Sequence, residues 1–185
     1  IANRVSERLR LVPRDDLRYG YRLWLDRATG LPLKRMLVDD QGRALETFQL
    51  VGLTPPERYE GEVRLLAPVS SATFPWRAGW LPQGFVAQPL MAMASGEEGP
   101  RRHRLYSDGL STISVFVEPV STTETLRPGL HRLGASHAAV RRFEADGHAL
   151  QIIAVGELPP RVLLRIAETL ELAPERPSGA AESSS

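Results

Sequence analysis

Three side chains that could together hydrolyse a bond lie close to one another in the sequence, namely His103, Ser107 and Asp108. A serine nucleophile needs an imidazole that takes its proton and a carboxylate that orients the imidazole. Here, however, Ser107 directly precedes the Asp-Gly pair of a predicted hairpin turn, and the G-x-S-x-G pattern of a nucleophile elbow is absent from the sequence. The spacing favours a structural turn, and we predict that the protein is not an enzyme.

Metal and phosphate chemistry finds equally little support in the sequence. The chain has no cysteine, and no two of its histidines are four residues apart (His103, His131, His137 and His148). Thiolate sites need cysteine, and the zinc-protease pattern needs two histidines on one helix face at that spacing. A glycine-rich phosphate loop is missing as well. The sequence therefore predicts no catalytic residue, no metal site and no cofactor.

Residues suited to binding are more prominent than residues suited to catalysis. Trp76 and Trp80 lie in a segment rich in proline, and Arg101 and Arg102 open a predicted strand. Tryptophan is enriched where one face is apolar and the other wet, and arginine offers paired donors to carboxylates or phosphates. We predict that these four residues contact a partner. The alternatives are that the tryptophan segment caps a core and that the arginines are a solvated strand end.

A second candidate surface lies near the start of the chain. Tyr19, Tyr21 and Leu23 recur at period two, so they share one face of a predicted strand. Such a face could line a concave apolar cavity, and we predict these three residues as lipid-binding. The alternative is that they are ordinary core residues whose hydroxyl groups have partners.

The elements that position these residues are mostly strands. Leu17 to Leu53 is typical of a three-stranded antiparallel meander, with turns that contain Gly30 and Gly42. Val5 to Val12 alternates in the same way and is expected to pair with the first strand of the meander. Three linked strands need another layer over their apolar face to be stable.

In the second half of the chain, two Asp-Gly pairs lie between apolar runs. This pattern is a strong local signal of a β-hairpin, so we predict two hairpins there. A strand from Gly84 to Met93 precedes the first hairpin, whose return strand runs from Leu110 to Val117. Leu130 to Phe143 and His148 to Val155 form the arms of the second hairpin. The last of these strands is apolar on both faces near its end, which indicates the centre of a sheet.

One amphipathic helix follows that strand. Pro159 and Pro160 suit a first helical turn, where the missing N–H costs nothing. The apolar stripe consists of Val162, Leu163, Ile166 and Leu170, while Arg161, Arg165 and Glu168 point outward.

Length and composition are those of a globular protein of one or two domains. The chain has 185 residues, of which 42% are hydrophobic and 24% charged, and its net charge of +1 argues against nucleic acid as a partner. We predict an α+β fold of mostly antiparallel β-structure. The predicted units are residues 1–68, which end in a linker, residues 69–172, a small α+β domain, and residues 173–185, a disordered tail.

The sequence closely resembles the RseB/MucB family in four collinear segments, YGYRLWLDRATGLPLKRMLVDDQGRALETFQ, LPQGF, SDGLS and VGELPP. The similarity runs from about Leu9 to Leu172. It implies that residues 1–68 are the C-terminal part of a large domain with the curved sheet of lipoprotein carriers. It further implies that a small antiparallel sheet packed with a C-terminal helix follows.

The resemblance also implies a function and a location. Members of the family are periplasmic regulators of the envelope-stress response, which bind the periplasmic segment of a transmembrane anti-sigma factor and shield it from proteolysis. Lipid or lipopolysaccharide is thought to release that partner. A periplasmic lipid or lipoprotein carrier is the alternative function, and association into a homodimer is left open.

Overall fold

The computed structural model describes residues 1–54, 60–62, 76–89, 103–120, 126–145 and 147–172. In these ranges the chain forms antiparallel strands and a single helix, which confirms the predicted α+β class. The elements are β1 (Ser6–Leu11), β2 (Gly20–Asp26), β3 (Pro32–Val38), β4 (Ala44–Gln49), β5 (Trp76–Ala78), β6 (Val86–Ala87), β7 (His103–Ser107), β8 (Thr112–Pro119), β9 (Gly129–Leu133), β10 (Ser136–Ala145), β11 (His148–Gly156), α1 (Pro160–Glu168) and β12 (Leu170–Leu172).

The first sheet has the order β1-β2-β3-β4. It consists of the predicted meander, β2 to β4, and of β1, which pairs with β2 as expected. Its first turn is held by Asp26, whose carboxylate accepts hydrogen bonds from Thr29 N–H and Oγ1 and an ion pair from Arg4 at 2.7 Å. Gly30 adopts a φ of 75° there, a conformation that disfavours a side chain. The aspartate and the glycine that mark this turn in the sequence thus set the register of β2 against β3.

The second sheet has the order β6-β7-β8-β11-β10-β9, so β11 lies in its interior as predicted. In β8, Ile113, Val115 and Val117 face the core, in agreement with their alternation in the sequence. Helix α1 covers this face, and its carbonyl end is capped because Arg141 donates to the carbonyl oxygens of Ala167 and Glu168. The buried core consists of Trp76, Phe85, Tyr106, Ile113, Val115, Val117, Ala139, Ile152, Ala154, Leu158, Val162, Leu163, Ile166 and Ala167.

Two predicted elements are wrong in their extent. The stretch from Leu130 to Phe143 is two strands, β9 and β10, because Gly134 takes a φ of 67° and turns the chain between them. The helix ends at Glu168, and Leu170 belongs to β12 instead of the helical stripe. Strand β12 pairs with β5. Leu170, which was predicted to lie on the apolar face of the helix, therefore lies in a two-stranded ribbon.

Several predictions lie outside the described residues. Of the strand predicted from Gly84 to Met93, the described part shows β6 at Val86–Ala87 and ends at Pro89. Arg101, Arg102, the predicted boundary near residue 68 and the tail at 173–185 are not among the described residues. The division into units therefore stays a prediction.

Candidate functional site

A cleft opens where the end of the first sheet meets the second sheet and the start of α1. The two parts, residues 1–54 and residues 76–172, are called here the N-terminal half and the C-terminal half. Arg18 joins them. Its guanidinium donates to Asp108 Oδ2 at 2.6 Å and to the carbonyl oxygen of Gln83 at 2.7 Å, and it lies over the ring of Phe85.

Further contacts hold the halves together. The Tyr21 hydroxyl lies 3.4 Å from Ser111 Oγ and 3.4 Å from the carbonyl oxygen of Leu110, and burial raises the pKa of this phenol. Arg161, at the start of α1, forms an ion pair with Asp16 at 2.7 Å. The loop before β2 is thus fixed against both the hairpin turn and the helix of the C-terminal half.

The cleft between the halves has a volume of about 580 Å³. Its floor is formed by the ends of β1 and β2, and its opposite wall is formed by the β9–β10 hairpin and the first turn of α1. The charged residues that line it are Arg10, Arg18, Arg22, Arg43, Arg132 and Arg161, with Asp15, Asp16, Asp39 and Asp40. Among the charged side chains of the cleft, cations therefore outnumber anions.

Ion pairs within the protein neutralise only some of these cations. Arg43 pairs with Asp39 at 2.7 Å, and Arg18 and Arg161 pair as described above. Arg22 and Arg132 donate to backbone carbonyl oxygens, and Arg10 has no hydrogen-bond partner among the described residues. Three guanidinium groups therefore face the cleft without a carboxylate partner in the described part of the chain.

Two further polar side chains, those of His137 and Tyr19, line the cleft. Nδ1 of His137 is buried and has no hydrogen-bond partner among the described residues. The pKa of Tyr19 is raised by burial and by the carboxylates of Asp39 and Asp40, so its hydroxyl stays protonated near neutral pH. Such groups can donate to or accept from a bound polar molecule.

The predicted partner-binding tryptophans lie in different surroundings. Trp76 is 2% exposed and belongs to the core, where it pairs with Leu172 across β5 and β12. This placement matches the alternative reading, in which the segment caps the small core. Trp80 is half-buried, and the guanidinium carbon of Arg165 lies 3.9 Å from the centre of its ring. Only Trp80 of the two presents surface to solvent.

The predicted lipid-binding residues are only partly brought together. Tyr19 and Tyr21 line a smaller cavity of about 390 Å³ beside the cleft, together with Leu11, Val12 and Leu110. Leu23 is half-buried farther along β2 and does not line this cavity. No acyl-chain tunnel is formed by these three side chains.

The three residues with hydrolytic potential have structural roles instead. The Ser107 hydroxyl donates to the Ser111 carbonyl, and Asp108 accepts from the backbone N–H groups of Leu110 and Ser111 and from Arg18. The ring of His103 stacks on Phe116 with a centroid distance of 4.3 Å. Within the described ranges, no cluster of three or more His, Asp or Glu could hold a metal, and no helix is long and apolar enough to cross a membrane.

Sequence reasoning predicted Tyr19 as a binding residue but missed the arginines and the histidine of the cleft. Arg10 and Arg22 lie directly opposite each other in the register of β1 and β2. That pairing could have been found by aligning the predicted strand Val5 to Val12 with the first strand of the meander, residue by residue. Arg132 and His137 carry no comparable signal, because they reach the cleft only through the turn at Gly134.

Comparison with known proteins places the chain in context. The family model of the MucB/RseB N-terminal domain matches residues 1–73, and that of the MucB/RseB C-terminal domain matches residues 70–171. The sigma factor AlgU regulatory protein MucB of Pseudomonas aeruginosa is 33% identical over 98% of this chain and 59% of its own length. The sigma-E factor regulatory protein RseB of Escherichia coli is 35% identical over 92% of this chain and 56% of its own length.

Solved structures agree with this result. The Pseudomonas aeruginosa MucA/MucB complex matches with a TM-score of 0.70 and 32% identity, over 95% of this chain and 62% of the solved chain. MucB in complex with MucA(peri) matches with a TM-score of 0.69. The chain thus spans less than two thirds of the relatives that it matches, and those relatives are regulatory proteins. Because the two family models together cover residues 1–171, the chain belongs to the MucB/RseB family.

Proposed function

We propose that the protein is a negative regulator of an envelope-stress sigma factor pathway. It acts by binding the periplasmic segment of a membrane-spanning anti-sigma factor and protecting that segment from proteolysis. The observation that carries the proposal is the match, over 95% of the chain, to MucB solved in complex with MucA. The proposal places the protein in the periplasm.

The described side chains support binding over catalysis. His103, Ser107 and Asp108, the residues with the types of a hydrolytic site, are engaged in stacking, turn formation and the contact between the halves. The surface features that remain available to a partner are the charged cleft and the half-buried Trp80. Both suit an extended peptide with polar and apolar side chains.

The proposal includes the residues of this chain that contact the anti-sigma segment. Trp80 is half-buried, whereas a contact at Trp76 would require the core to open, since Trp76 is 2% exposed. Arg101 and Arg102 lie outside the described residues and are retained as predicted contacts. Titration of the partner segment against Trp80→Ala and Arg102→Glu tests them, and wild-type affinity in both variants would reject the assignment.

The function itself is tested with the unaltered chain. We expect the periplasmic segment of the MucA homologue from the same bacterium to bind in isothermal titration calorimetry, and to be cleaved more slowly by the first protease of the pathway when bound. A peptide of the same composition in scrambled order is the control. Equal heats with both peptides, or no protection, would contradict the proposal.

Lipid binding is a second candidate function, and one observation favours it. Tyr19 and Tyr21 line the cavity of about 390 Å³ with apolar neighbours, a volume within the range of small-molecule sites. We expect a fluorescent fatty acid to bind and Tyr21→Ala to weaken it, with Leu23→Ala as the comparison outside the cavity. Light scattering of the same samples, with and without lipid, measures whether the protein forms a homodimer.

A further inference from the structure

We propose that the cleft between the halves binds an acidic stretch of a peptide partner, with Arg10, Arg22 and Arg132 as its carboxylate contacts. The inference rests on the proposed function, because the anti-sigma segment is the partner that would supply the peptide. It adds the location on this chain and the chemistry that recognises it.

The first argument is the charge of the cleft. Of its six arginines, three are paired with carboxylates of the protein, and Arg10, Arg22 and Arg132 are not, within the described residues. Arg10 and Arg22 even lie directly opposite each other on neighbouring strands, where like charges destabilise a sheet. The stability of the sheet does not explain this pairing. An anion bound between the two guanidinium groups would remove the repulsion.

The second argument concerns the opposite wall. Arg132 and His137 are cross-strand neighbours of the β9–β10 hairpin, and both line the cleft. Nδ1 of His137 is buried without a hydrogen-bond partner among the described residues, and a buried polar atom without a partner costs free energy. His137 thus adds a second polar side chain beside Arg132 on this wall of the cleft.

The distribution of charges favours a peptide over a phosphorylated lipid. The three arginines come from β1, β2 and β9, on both walls, so their contacts are spread along the cleft. Asp15, Asp16 and Asp39 in the lining are ion-paired with arginines, but Asp40 forms no ion pair among the described residues and would repel a group with several negative charges, such as a phosphate cluster. Single carboxylates spaced along a chain can meet the arginines and avoid the aspartates.

The cleft also leads to the exposed tryptophan. Arg161 lines the cleft at the first turn of α1, and Arg165, one turn later on the same exposed face, stacks on Trp80. A peptide that leaves the cleft along this face would therefore reach Trp80. The acidic site and the predicted aromatic contact are thus two parts of one path for the same partner.

The experiment measures binding of the fluorescently labelled anti-sigma segment to the wild-type chain and to Arg10→Gln, Arg132→Gln and the double variant. We expect each single change to weaken binding about fivefold, a typical loss for a partly exposed charge-assisted hydrogen bond. Arg8→Gln is the matched control, since Arg8 lies on the same face of β1, is exposed and does not line the cleft. It should keep wild-type affinity. A segment whose Asp and Glu are changed to Asn and Gln should bind weakly to all proteins.

The outcomes separate the two proposals. Failure of the wild-type chain to bind the segment would overturn the proposed function. Wild-type binding that is equally strong in the cleft variants and in Arg8→Gln would overturn the cleft site alone. Sedimentation with vesicles that contain phosphatidylglycerol completes the test. Loss of vesicle binding in Arg10→Gln and Arg132→Gln, with unchanged binding of the segment, would assign the arginines to a membrane surface and overturn the peptide site.

Discussion

Arg18 and Asp108, ninety residues apart in the chain, form a short ion pair with Nη1 of the arginine 2.6 Å from Oδ2 of the aspartate. Both side chains are largely buried, at 19% and 8% exposure. The other carboxylate oxygen of Asp108 accepts hydrogen bonds from the backbone of its own turn. A single aspartate therefore shapes the hairpin turn and attaches the N-terminal half to it.

We expect Asp108→Asn to lower the free energy of unfolding by about 1–3 kcal/mol. Asparagine can still cap the turn, but the substitution removes the shorter and more buried of the two ion pairs that Arg18 forms among the described residues and leaves only the pair with Asp15 at 3.1 Å. Urea unfolding measures the change. A double-mutant cycle with Arg18→Gln then isolates the coupling between the two side chains.

An exposed ion pair of the same chain serves as the control for that prediction. Arg77 and Glu171 lie 2.6 Å apart, but their side chains are 73% and 51% exposed. Arg77→Gln should change the free energy of unfolding by less than about 1 kcal/mol, since solvent screens exposed pairs. Equal losses in Arg77→Gln and Asp108→Asn would show that burial of the Arg18–Asp108 pair contributes nothing.

A second prediction concerns pH. Glu46 and Glu157 come from opposite halves, and both lie near Arg35, with oxygen–nitrogen distances of 3.2 and 3.9 Å. Burial and the carboxylate of Glu46 raise the pKa of Glu157 above its ordinary value of 4.5. The folded protein therefore holds this proton more tightly than the unfolded chain does. The resulting stabilisation is present below pH 4.5 and is lost as the pH rises through the raised pKa.

We expect Glu157→Gln to be more stable than the wild type near neutral pH and to depend less on pH above 4.5. Urea unfolding over a series of pH values measures both effects. Glu7→Gln, an exposed change on β1, should keep the wild-type profile. If the profile of Glu157→Gln parallels that of the wild type, the two carboxyl groups are not coupled.

A third prediction separates the two tryptophans. Trp76→Ala should cost about 3–5 kcal/mol of stability, because it leaves a cavity in the core under β12. Trp80→Ala should cost only about 1–2 kcal/mol, for partial burial and the stacking of Arg165. Thermal unfolding distinguishes them. A smaller loss for Trp76→Ala than for Trp80→Ala would contradict the assignment of Trp76 to the core.

A fourth prediction concerns the ribbon formed by β5 and β12. A Cβ atom at Gly79 would lie 2.1 Å from the carbonyl oxygen of Thr169, which accepts a hydrogen bond from Gly79 N–H. Gly79→Ala must push the two strands apart, at a cost of about 1–3 kcal/mol. Gly52→Ala, where a Cβ atom meets nothing within 4 Å, should be close to neutral. Chemical unfolding of both variants provides the comparison.

The sequence by itself determined the strands of the meander, the Asp-Gly turn at Asp108, the inward face of β8 and the start of α1. Each of these depends on neighbouring residues, through alternation at period two, turn residues that tolerate their backbone angles, and proline at a first helical turn. The four segments that resemble the RseB/MucB family are of the same local kind, and they were enough to assign the family correctly.

Only the tertiary structure decided how these elements meet. The core position of Trp76 depends on β12, which lies beyond α1, and the partner of Asp108 lies ninety residues away. The cleft takes Arg10 and Arg22 from one sheet and Arg132 from the other. No local preference of the backbone encodes such meetings, because side chains distant in sequence become neighbours only when the sheets and the helix pack against each other.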